Sequence, residues 1–206
     1  MESYQQANRE AWLQARLGKV TASRVADVVA KTKSGYGASR ENYMAQLICE
    51  RLTGKPTEGF SNAAMEWGTE QEPHARAAYS AKTGELVEEV GFIPHHNIPG
   101  SGASPDGFVG DAIVEFKAPN TATHLEYVLA GKPPEKYVTQ MQWQMAVTGA
   151  PWGEFCSYDP RLPEHLQLLI VRVPRDDKRI AELEAEVRKF LAELEEKLAK
   201  LKEISL

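Results

Sequence analysis

The stretch from Ser104 to Lys117 constrains the fold of this chain more than any other segment. Two short apolar runs flank Gly110-Asp111, and a glycine at the first central position suits a two-residue hairpin turn. Counting outward from this turn gives the antiparallel pairs Val109–Ala112, Phe108–Ile113, Gly107–Val114 and Asp106–Glu115. The hairpin therefore predicts two carboxylates that face each other, with β-carbons roughly 4.5–5.5 Å apart.

The predicted pairing of Asp106 with Glu115 needs a compensating positive charge, because directly opposed like charges destabilise a sheet. A divalent cation would supply it, since carboxylate oxygens are the ligands that Mg²⁺ and Mn²⁺ prefer. Strand alternation places Lys117 on the same face as Glu115, and Val114 and Phe116 on the other face, towards the core. The hairpin thus predicts a catalytic metal site in which Lys117 stabilises charge on a reacting phosphate or orients the attacking water. The alternative is a surface hairpin whose charged side chains are only solvated.

Apolar spacing and turn residues predict both helices and strands. The predicted helices are 4–17, 21–30, 41–53, 62–82, 134–148 and 180–201, and the predicted strands are 85–94, 103–117, 152–158 and 165–173. Thr21-Ala-Ser23 supplies cap residues for the second helix, and Pro73 should kink the fourth helix or start a new one. Residues 31–40 are predicted to form a mobile loop. This order favours an α/β or α+β fold, with a central mixed sheet flanked by helices and a long C-terminal helix.

One domain spanning residues 1–206 is predicted, because no repeat, low-complexity tract or linker divides the chain. The C-terminal helix carries an apolar stripe, which predicts packing on the protein's own sheet, with a subunit or partner contact as the alternative. No apolar run approaches the roughly 18 residues of a spanning helix, and no secretory signal is visible, so a cytoplasmic protein with no membrane partner is expected. Two cysteines exclude a disulfide scaffold and a four-cysteine metal site.

The net charge of −5 is unevenly distributed along the chain. Residues 1–60 carry nine Lys/Arg and six Asp/Glu, a balance of +3, whereas residues 61–175 carry eight and fourteen, a balance of −6. A basic arm beside an acidic centre suits a protein that binds phosphates while it concentrates cations. On charge alone, a simply solvated surface remains an equal alternative.

Six motifs extend this interpretation, because they occur in a fixed order along nearly the whole chain. They are Arg16-Leu-Gly-Lys-Val-Thr-Ala-Ser23, Glu66-Trp-Gly-Thr-Glu-Gln-Glu72, Ser104-Pro-Asp-Gly107, Glu115-Phe-Lys117, Tyr137-Val-Thr-Gln140-Met-Gln142 and Tyr158-Asp-Pro-Arg161. The Pro-Asp and Glu-Phe-Lys motifs resemble the Pro-Asp…(Asp/Glu)-x-Lys signature of the restriction-endonuclease-like nuclease superfamily. The whole series resembles the phage lambda exonuclease, or YqaJ viral recombinase, family.

The resemblance implies a restriction-endonuclease-like core and a specific activity. The expected enzyme is a Mg²⁺-dependent 5′-to-3′ exonuclease that degrades one strand of linear double-stranded DNA and leaves 3′ single-stranded overhangs for recombination. Two Mg²⁺ ions are implied; Mn²⁺ is expected to substitute, and Ca²⁺ to inhibit, since its looser geometry suits the site poorly. A ring-shaped homotrimer, a single-strand-annealing recombinase partner, and a phage or prophage origin in a bacterial cytoplasm are also implied.

The resemblance also assigns roles to the residues of the metal site. Asp106 and Glu115 match the family's metal ligands, and the carbonyl of Phe116 would add a third. Lys117 matches the catalytic lysine. Glu72 matches an acid that supports the second metal ion directly or through water.

Further matches concern the substrate. Gln140 matches a glutamine near the attacking water and the scissile phosphate, although an exposed helix glutamine is the alternative. Arg16 and Ser23 match a pocket for the DNA 5′-phosphate, where a helix start and bidentate donors would both attract the anion. Lys33 is predicted to contact DNA, and Met65 is considered as an apolar wedge at the terminal base pair, with core packing as its alternative.

Two other functions remain open. A structure- or site-specific endonuclease of the same superfamily would use the same metal site. A non-catalytic module that binds DNA ends would hold only a structural cation at the hairpin.

Overall fold

The computed structural model describes residues 4–33, 35–57 and 63–204, and these residues form both helices and strands. The helices are α1 (Tyr4–Arg16), α2 (Val25–Val28), α3 (Ala38–Thr53), α4 (Ala63–Thr83), α5 (Thr121–Ala130), α6 (Glu135–Thr148), α7 (Glu164–Gln167) and α8 (Asp177–Lys202). The strands are β1 (Val20–Thr21), β2 (Lys31–Thr32), β3 (Gly35–Tyr36), β4 (Ile93–Pro94), β5 (Ser101–Ala103), β6 (Gly107–Val109), β7 (Ala112–Lys117), β8 (Trp152–Tyr158) and β9 (Leu168–Pro174). Within this part of the chain, no helix is long and apolar enough to cross a membrane.

A four-stranded mixed sheet forms the centre of the molecule, in the order β6-β7-β8-β9. Strands β7 and β8 are parallel, and the two outer pairs are antiparallel. Helix α4 covers one face, where Tyr79 packs with Val114 and Phe116. Helix α6 covers the other face, where Met141 packs with Ile113. The predicted mixed sheet flanked by helices is therefore confirmed.

The register of the β6–β7 hairpin confirms three of the four predicted pairs, out to Gly107–Val114. The fourth pair, Asp106–Glu115, is not part of the ladder. Asp106 lies in a bend, and its side chain, rather than its backbone, accepts a hydrogen bond from the Phe116 N–H at 2.7 Å. The bend thus turns the Asp106 carboxylate back onto the strand that carries Glu115.

Helix α8 confirms the predicted apolar stripe and, in part, its predicted packing on the sheet. Ile180 at the start of the stripe packs with Ile113 and Phe155 of the four-stranded sheet, whereas the rest packs mainly against Tyr43 and Leu47 of α3 and Trp143 of α6. The residues of α8 in this cluster are Leu183, Val187, Phe190, Leu191, Leu194 and Leu198. The first part of the chain and the C-terminal helix thus share a core separate from the two faces of the sheet.

Residues 20–40 differ most from the prediction. The predicted helix over 21–30 is a 3-10 turn, Ala22–Arg24, followed by the four-residue α2, and Thr21 makes no side-chain cap bond. The predicted loop over 31–40 is the antiparallel β2–β3 hairpin followed by the start of α3. Glu186 of α8 fixes the hairpin, since it accepts from Lys31 at 3.1 Å and from the Tyr36 hydroxyl at 2.6 Å.

The predicted strands over 85–94, 103–117 and 165–173 are shorter or divided. In the first, only Ile93–Pro94 forms a strand. A single bridge joins Glu88 to Phe108 of β6, and β6 has only three residues that could extend this pairing. The second is divided by the bend at Asp106. The third begins at Leu168, because the residues after Pro163 form α7, in keeping with proline's preference for a helix start.

Two helices also differ from the prediction. Helix α4 continues through Pro73, so no new helix starts there, and the predicted start at residue 62 lies outside the described residues. Helix α5 was not predicted, although its signals are present. Asn120 caps it by accepting from the Thr123 N–H at 2.9 Å, and Gly131 ends it in the left-handed conformation.

Gly107 is required where β6 passes the segment before β4. A β-carbon on Gly107 would lie 2.4 Å from Cγ1 of Val87 and 2.8 Å from the carbonyl oxygen of Glu88. We expect Gly107→Ala to lower the free energy of unfolding by about 1–3 kcal/mol, because the backbone must move. Urea denaturation measures this, with Gly91→Ala as the control, since a β-carbon there meets nothing within 4 Å. Equal midpoints for the two variants would contradict the prediction.

Candidate active site

Glu115 is the centre of a buried polar cluster between β7 and α6. Its side chain is 2% exposed. One carboxylate oxygen, Oε1, accepts from Nζ of Lys117 and from Nε2 of Gln140 at 2.5 Å. The other, Oε2, accepts from Nε2 of Gln144 at 2.6 Å. The structure therefore brings the predicted residues Glu115, Lys117 and Gln140 into direct contact.

Asp106 completes the pair of carboxylates. Burial, followed by the charge of Glu115, raises the pKa of Asp106 well above its usual range, while the charge of Lys117 opposes the shift. Two neighbouring carboxylates are therefore unfavourable here unless a positive charge offsets them. Their oxygens are hard donors, which is the chemistry that Mg²⁺ requires, and the Phe116 carbonyl stays a predicted third ligand.

Lys117 retains its positive charge in this environment. Burial by itself lowers the pKa of Lys117, but the charges of Glu115 and Asp106 outweigh it and raise the pKa above its usual value. Its Nζ also lies 5.3 Å from the centre of the Tyr137 ring, at the start of α6. A protonated lysine beside two carboxylates can stabilise negative charge that develops on a phosphate.

Glu72 approaches the same cluster from α4, but it is paired elsewhere. Its Oε1 accepts from Nη2 of Arg76 at 2.9 Å. Burial raises the pKa of Glu72, and the nearby charges of Arg76 and Lys117 oppose the shift. Among the described residues, no three His, Cys, Asp or Glu side chains are close enough to hold a metal ion. A metal role for Glu72 therefore stays a prediction.

A cavity of about 950 Å³ contains three of the residues predicted to bind DNA, namely Arg16, Ser23 and Met65. Arg16 stacks on Trp12, with its guanidinium carbon 3.8 Å from the ring centre. Burial lowers the pKa of Arg16, and electrostatic interactions with Tyr43, Glu50 and Glu115 act in the opposite direction. Trp12 in turn donates to Oγ of Ser104 at 3.1 Å, which links α1 to the hairpin.

The local structure at Ser23 differs from the helix start expected there, while its role in binding the 5′-phosphate stays a prediction. Ser23 lies inside the 3-10 turn rather than at the start of a long helix, and α2 is too short to supply a strong dipole. Its hydroxyl lies 3.4 Å from that of Thr21. Positive charge comes from side chains instead, since Arg9, Lys19 and Arg24 line the cavity with Arg16.

Lys33 and Met65 occupy different environments. Lys33 is exposed near the turn of the β2–β3 hairpin and is not one of the residues that line the cavity. Met65 is 57% exposed at the cavity rim, so core packing, the alternative considered from the sequence, is wrong.

Two residues of the cluster were missed in the sequence, Gln144 and Tyr137. Gln144 follows Gln140 by four residues, the spacing that places side chains on the same helix face. That spacing is a signal in the sequence, but it indicates functional residues only if this face of the helix contacts a carboxylate. Tyr137 begins one of the six motifs but has no functional role assigned from the sequence, and the structure places its ring both against Phe155 and beside Lys117.

The chain is similar to known proteins in both sequence and fold. The sequence model of the YqaJ-like viral recombinase domain family matches residues 11–151. The crystal structure of LHK-Exo, an alkaline exonuclease from Laribacter hongkongensis, is 58% identical in sequence, covers 94% of this chain and 96% of its own, and superposes with a TM-score of 0.88. LHK-Exo in complex with dAMP gives the same values.

A more distant structure shows the fold alone. The phage related exonuclease from Haemophilus somnus is 15% identical, covers 87% of this chain and 96% of its own, and has a TM-score of 0.66. No curated protein is significantly similar to the chain.

Proposed function

This chain belongs to the YqaJ-like viral recombinase domain family, and from that premise we propose that it is a Mg²⁺-dependent 5′-to-3′ exonuclease. Its substrate is linear double-stranded DNA, and its products are mononucleotides and a 3′ single-stranded overhang. The similarity to an alkaline exonuclease over nearly the whole chain supports a nuclease. The complex of LHK-Exo with dAMP supports the product class, since a nucleoside monophosphate is what an exonuclease releases.

One observation carries this proposal: the cluster around Glu115, where a lysine and two glutamines surround a buried carboxylate beside Asp106. Mg²⁺ held by Asp106, Glu115 and the Phe116 carbonyl would supply Lewis acidity and lower the pKa of the attacking water. Lys117 stabilises the charge that develops on the phosphate oxygens. Gln140 donates from Nε2 to the attacking water or to the phosphate.

We assign a second Mg²⁺ ion to the side of the cluster nearest Glu72, which would hold it directly or through water. Oε1 of Glu72 pairs with Arg76, so the other carboxylate oxygen, Oε2, would face the cation. Mn²⁺ should replace Mg²⁺, because both accept oxygen ligands in a compact octahedral geometry. Ca²⁺ should bind and inhibit, since its longer bonds and variable coordination misplace the reacting groups.

The cavity beside Arg16 supports the proposed 5′-to-3′ direction of digestion. Arg16 and Ser23 would receive the 5′-phosphate, Met65 would contact the terminal base pair, and Lys33 would contact the backbone of the duplex. Trp12 connects the cavity to the proposed metal site, because it stacks with Arg16 and donates to Ser104, two residues before Asp106. An anchored 5′-end would hold the first phosphodiester bond near Asp106 and Glu115.

Assembly is proposed from the family alone. Three copies would form a ring around the duplex, which would retain an acidic protein on its substrate without tight phosphate binding. A molar mass three times that of the chain, measured by light scattering, would support the ring. A single-strand-annealing recombinase, encoded with the nuclease on a phage or prophage, would receive the 3′ overhang.

The test uses linear and covalently closed circular forms of one duplex, each with Mg²⁺ and with EDTA. We expect mononucleotides from the linear form in Mg²⁺, with loss of a 5′ label before a 3′ label, and no product from the circle or in EDTA. Opening of the circle would favour an endonuclease. Binding of linear ends without hydrolysis in Mg²⁺ or Mn²⁺ would favour a non-catalytic module.

A further inference from the structure

Gln144 holds the carboxylate of Glu115 from the interior of the protein. It is fully buried, at 0% exposure, and its Nε2 lies 2.6 Å from Oε2 of Glu115. The other end of the same amide, Oε1, is buried without a hydrogen-bond partner among the described residues. Burying a carbonyl oxygen in this way is unfavourable, so folding stability alone does not account for a glutamine at this position.

The two glutamines of α6 bond to different oxygens of the Glu115 carboxylate. Gln140 shares Oε1 with Lys117, whereas Gln144 alone contacts Oε2 among the side chains described. In the proposed reaction both Gln140 and Lys117 face the substrate phosphate, so their bonds to Glu115 must loosen when DNA binds. Gln144 lies behind Glu115 and has no solvent-exposed surface through which to leave.

We propose that Gln144 is the positioning residue of Glu115: it fixes Oε2 so that Oε1 stays aimed at the cation when Gln140 and Lys117 turn to the phosphate. This inference rests on the proposed metal-dependent hydrolysis, and it assigns different roles to the two glutamines of α6. Gln144 acts on metal affinity through Glu115, and Gln140 acts on the rate of the chemical step. Hydrogen bonds of this kind orient a ligand before the metal arrives.

The test compares Gln144→Met with Gln142→Met. Both replace a buried glutamine of α6 by a side chain of similar volume without a donor. Gln142 serves as the control because it bonds elsewhere, donating to the Pro174 carbonyl at 2.8 Å and accepting from the Asp176 N–H at 2.9 Å. Calorimetric titration with Mn²⁺ in the absence of DNA measures metal binding, and thermal denaturation of each variant measures folding.

We expect Gln144→Met to weaken Mn²⁺ binding about 10- to 100-fold and to raise the Mg²⁺ concentration for half-maximal digestion similarly. Gln142→Met should bind Mn²⁺ as the wild type does. Gln140→Met should instead lower the rate at saturating Mg²⁺, and it should change metal affinity less than Gln144→Met does. If Gln144→Met does not fold, Gln144→Asn replaces it, since this amide keeps its polarity but is one methylene too short to reach Oε2.

Several results would overturn the proposal. Mn²⁺ affinity in the Gln144 variants equal to that of the wild type would do so, as would an equal loss in Gln142→Met, which would indicate a merely structural role. Wild-type protein that binds Mn²⁺ but digests no DNA would reject the proposed function, and calorimetry would still decide the role of Gln144. Wild-type protein that binds no Mn²⁺ would reject both.

Discussion

Glu115→Gln and Asp106→Asn will each abolish hydrolysis of linear duplex DNA while the protein remains folded. Both substitutions preserve side-chain volume and remove the negative charge that a divalent cation needs. Alanine at either position should abolish hydrolysis as well, but Glu115→Ala would also leave the buried amides of Gln140 and Gln144 without an acceptor, at a cost of about 1–3 kcal/mol each. Asp106→Asn therefore separates catalysis from stability most directly, because it keeps an oxygen that accepts from the Phe116 N–H.

Stability provides a second readout for the same variants. The pKa of Asp106 is raised by burial and by the charge of Glu115, so its ionised form is destabilised in the metal-free protein. Asp106→Asn removes that ionised form and retains an oxygen to accept from the Phe116 N–H. We expect a thermal midpoint equal to or above that of the wild type, with no turnover.

Lys117→Ala should lower the rate by roughly 10²- to 10³-fold, since it removes one preorganised positive group from the reacting phosphate. Asp111→Ala is the matched control for all of these variants. Asp111 lies in the turn of the same hairpin and is exposed, so its removal should leave the rate unchanged. Substantial turnover by Glu115→Gln in Mg²⁺ would reject the assignment of the metal site.

A 5′-phosphate will accelerate digestion, and Arg16→Ala will remove most of that acceleration. Arg16 lines the cavity beside the active site and is held in place by stacking on Trp12. A charge-assisted contact to the terminal phosphate would contribute about 1.5–3 kcal/mol, or roughly ten- to a hundredfold in rate at the step that it positions. A 5′-hydroxyl end lacks that phosphate and gains nothing from Arg16.

The measurement compares initial rates on 5′-phosphorylated and 5′-hydroxyl duplexes for wild type, Arg16→Ala and Arg188→Ala. Arg188 is the control, because it is an exposed arginine of α8 that pairs with Glu184 at 3.0 Å and does not line the cavity. Equal wild-type rates on the two ends would reject the phosphate pocket. If Arg16→Ala still prefers the 5′-phosphorylated end, the phosphate must be bound by Lys19 or Arg24, which line the same cavity.

Local sequence patterns determined the elements whose signals lie within a few residues. Gly110-Asp111 defined the hairpin turn and three of its pairs, and strand alternation placed Val114 and Phe116 in the core opposite Glu115. The apolar stripe of α8 and the strand Trp152–Tyr158 were likewise predicted. The reason is physical, since turn geometry and periodicity depend on neighbours in the chain.

The candidate site was predicted in two different ways. The residues by themselves indicated Asp106, Glu115 and Lys117, because two carboxylates and a lysine converged on one hairpin. Glu72, Gln140 and Arg16 came only from the family resemblance, because each lies on a different element and no local pattern relates them to the hairpin.

Only the tertiary structure decided how these residues meet. Gln140 and Gln144 reach Glu115 from 25 and 29 residues away, and that contact exists only because α6 packs on the sheet. The bend at Asp106 likewise depends on the side chain's hydrogen bond to Phe116, which no residue pattern specifies. The sequence therefore determined which chemical groups are present and which strand face carries them, whereas long-range packing determined which donors hold each carboxylate.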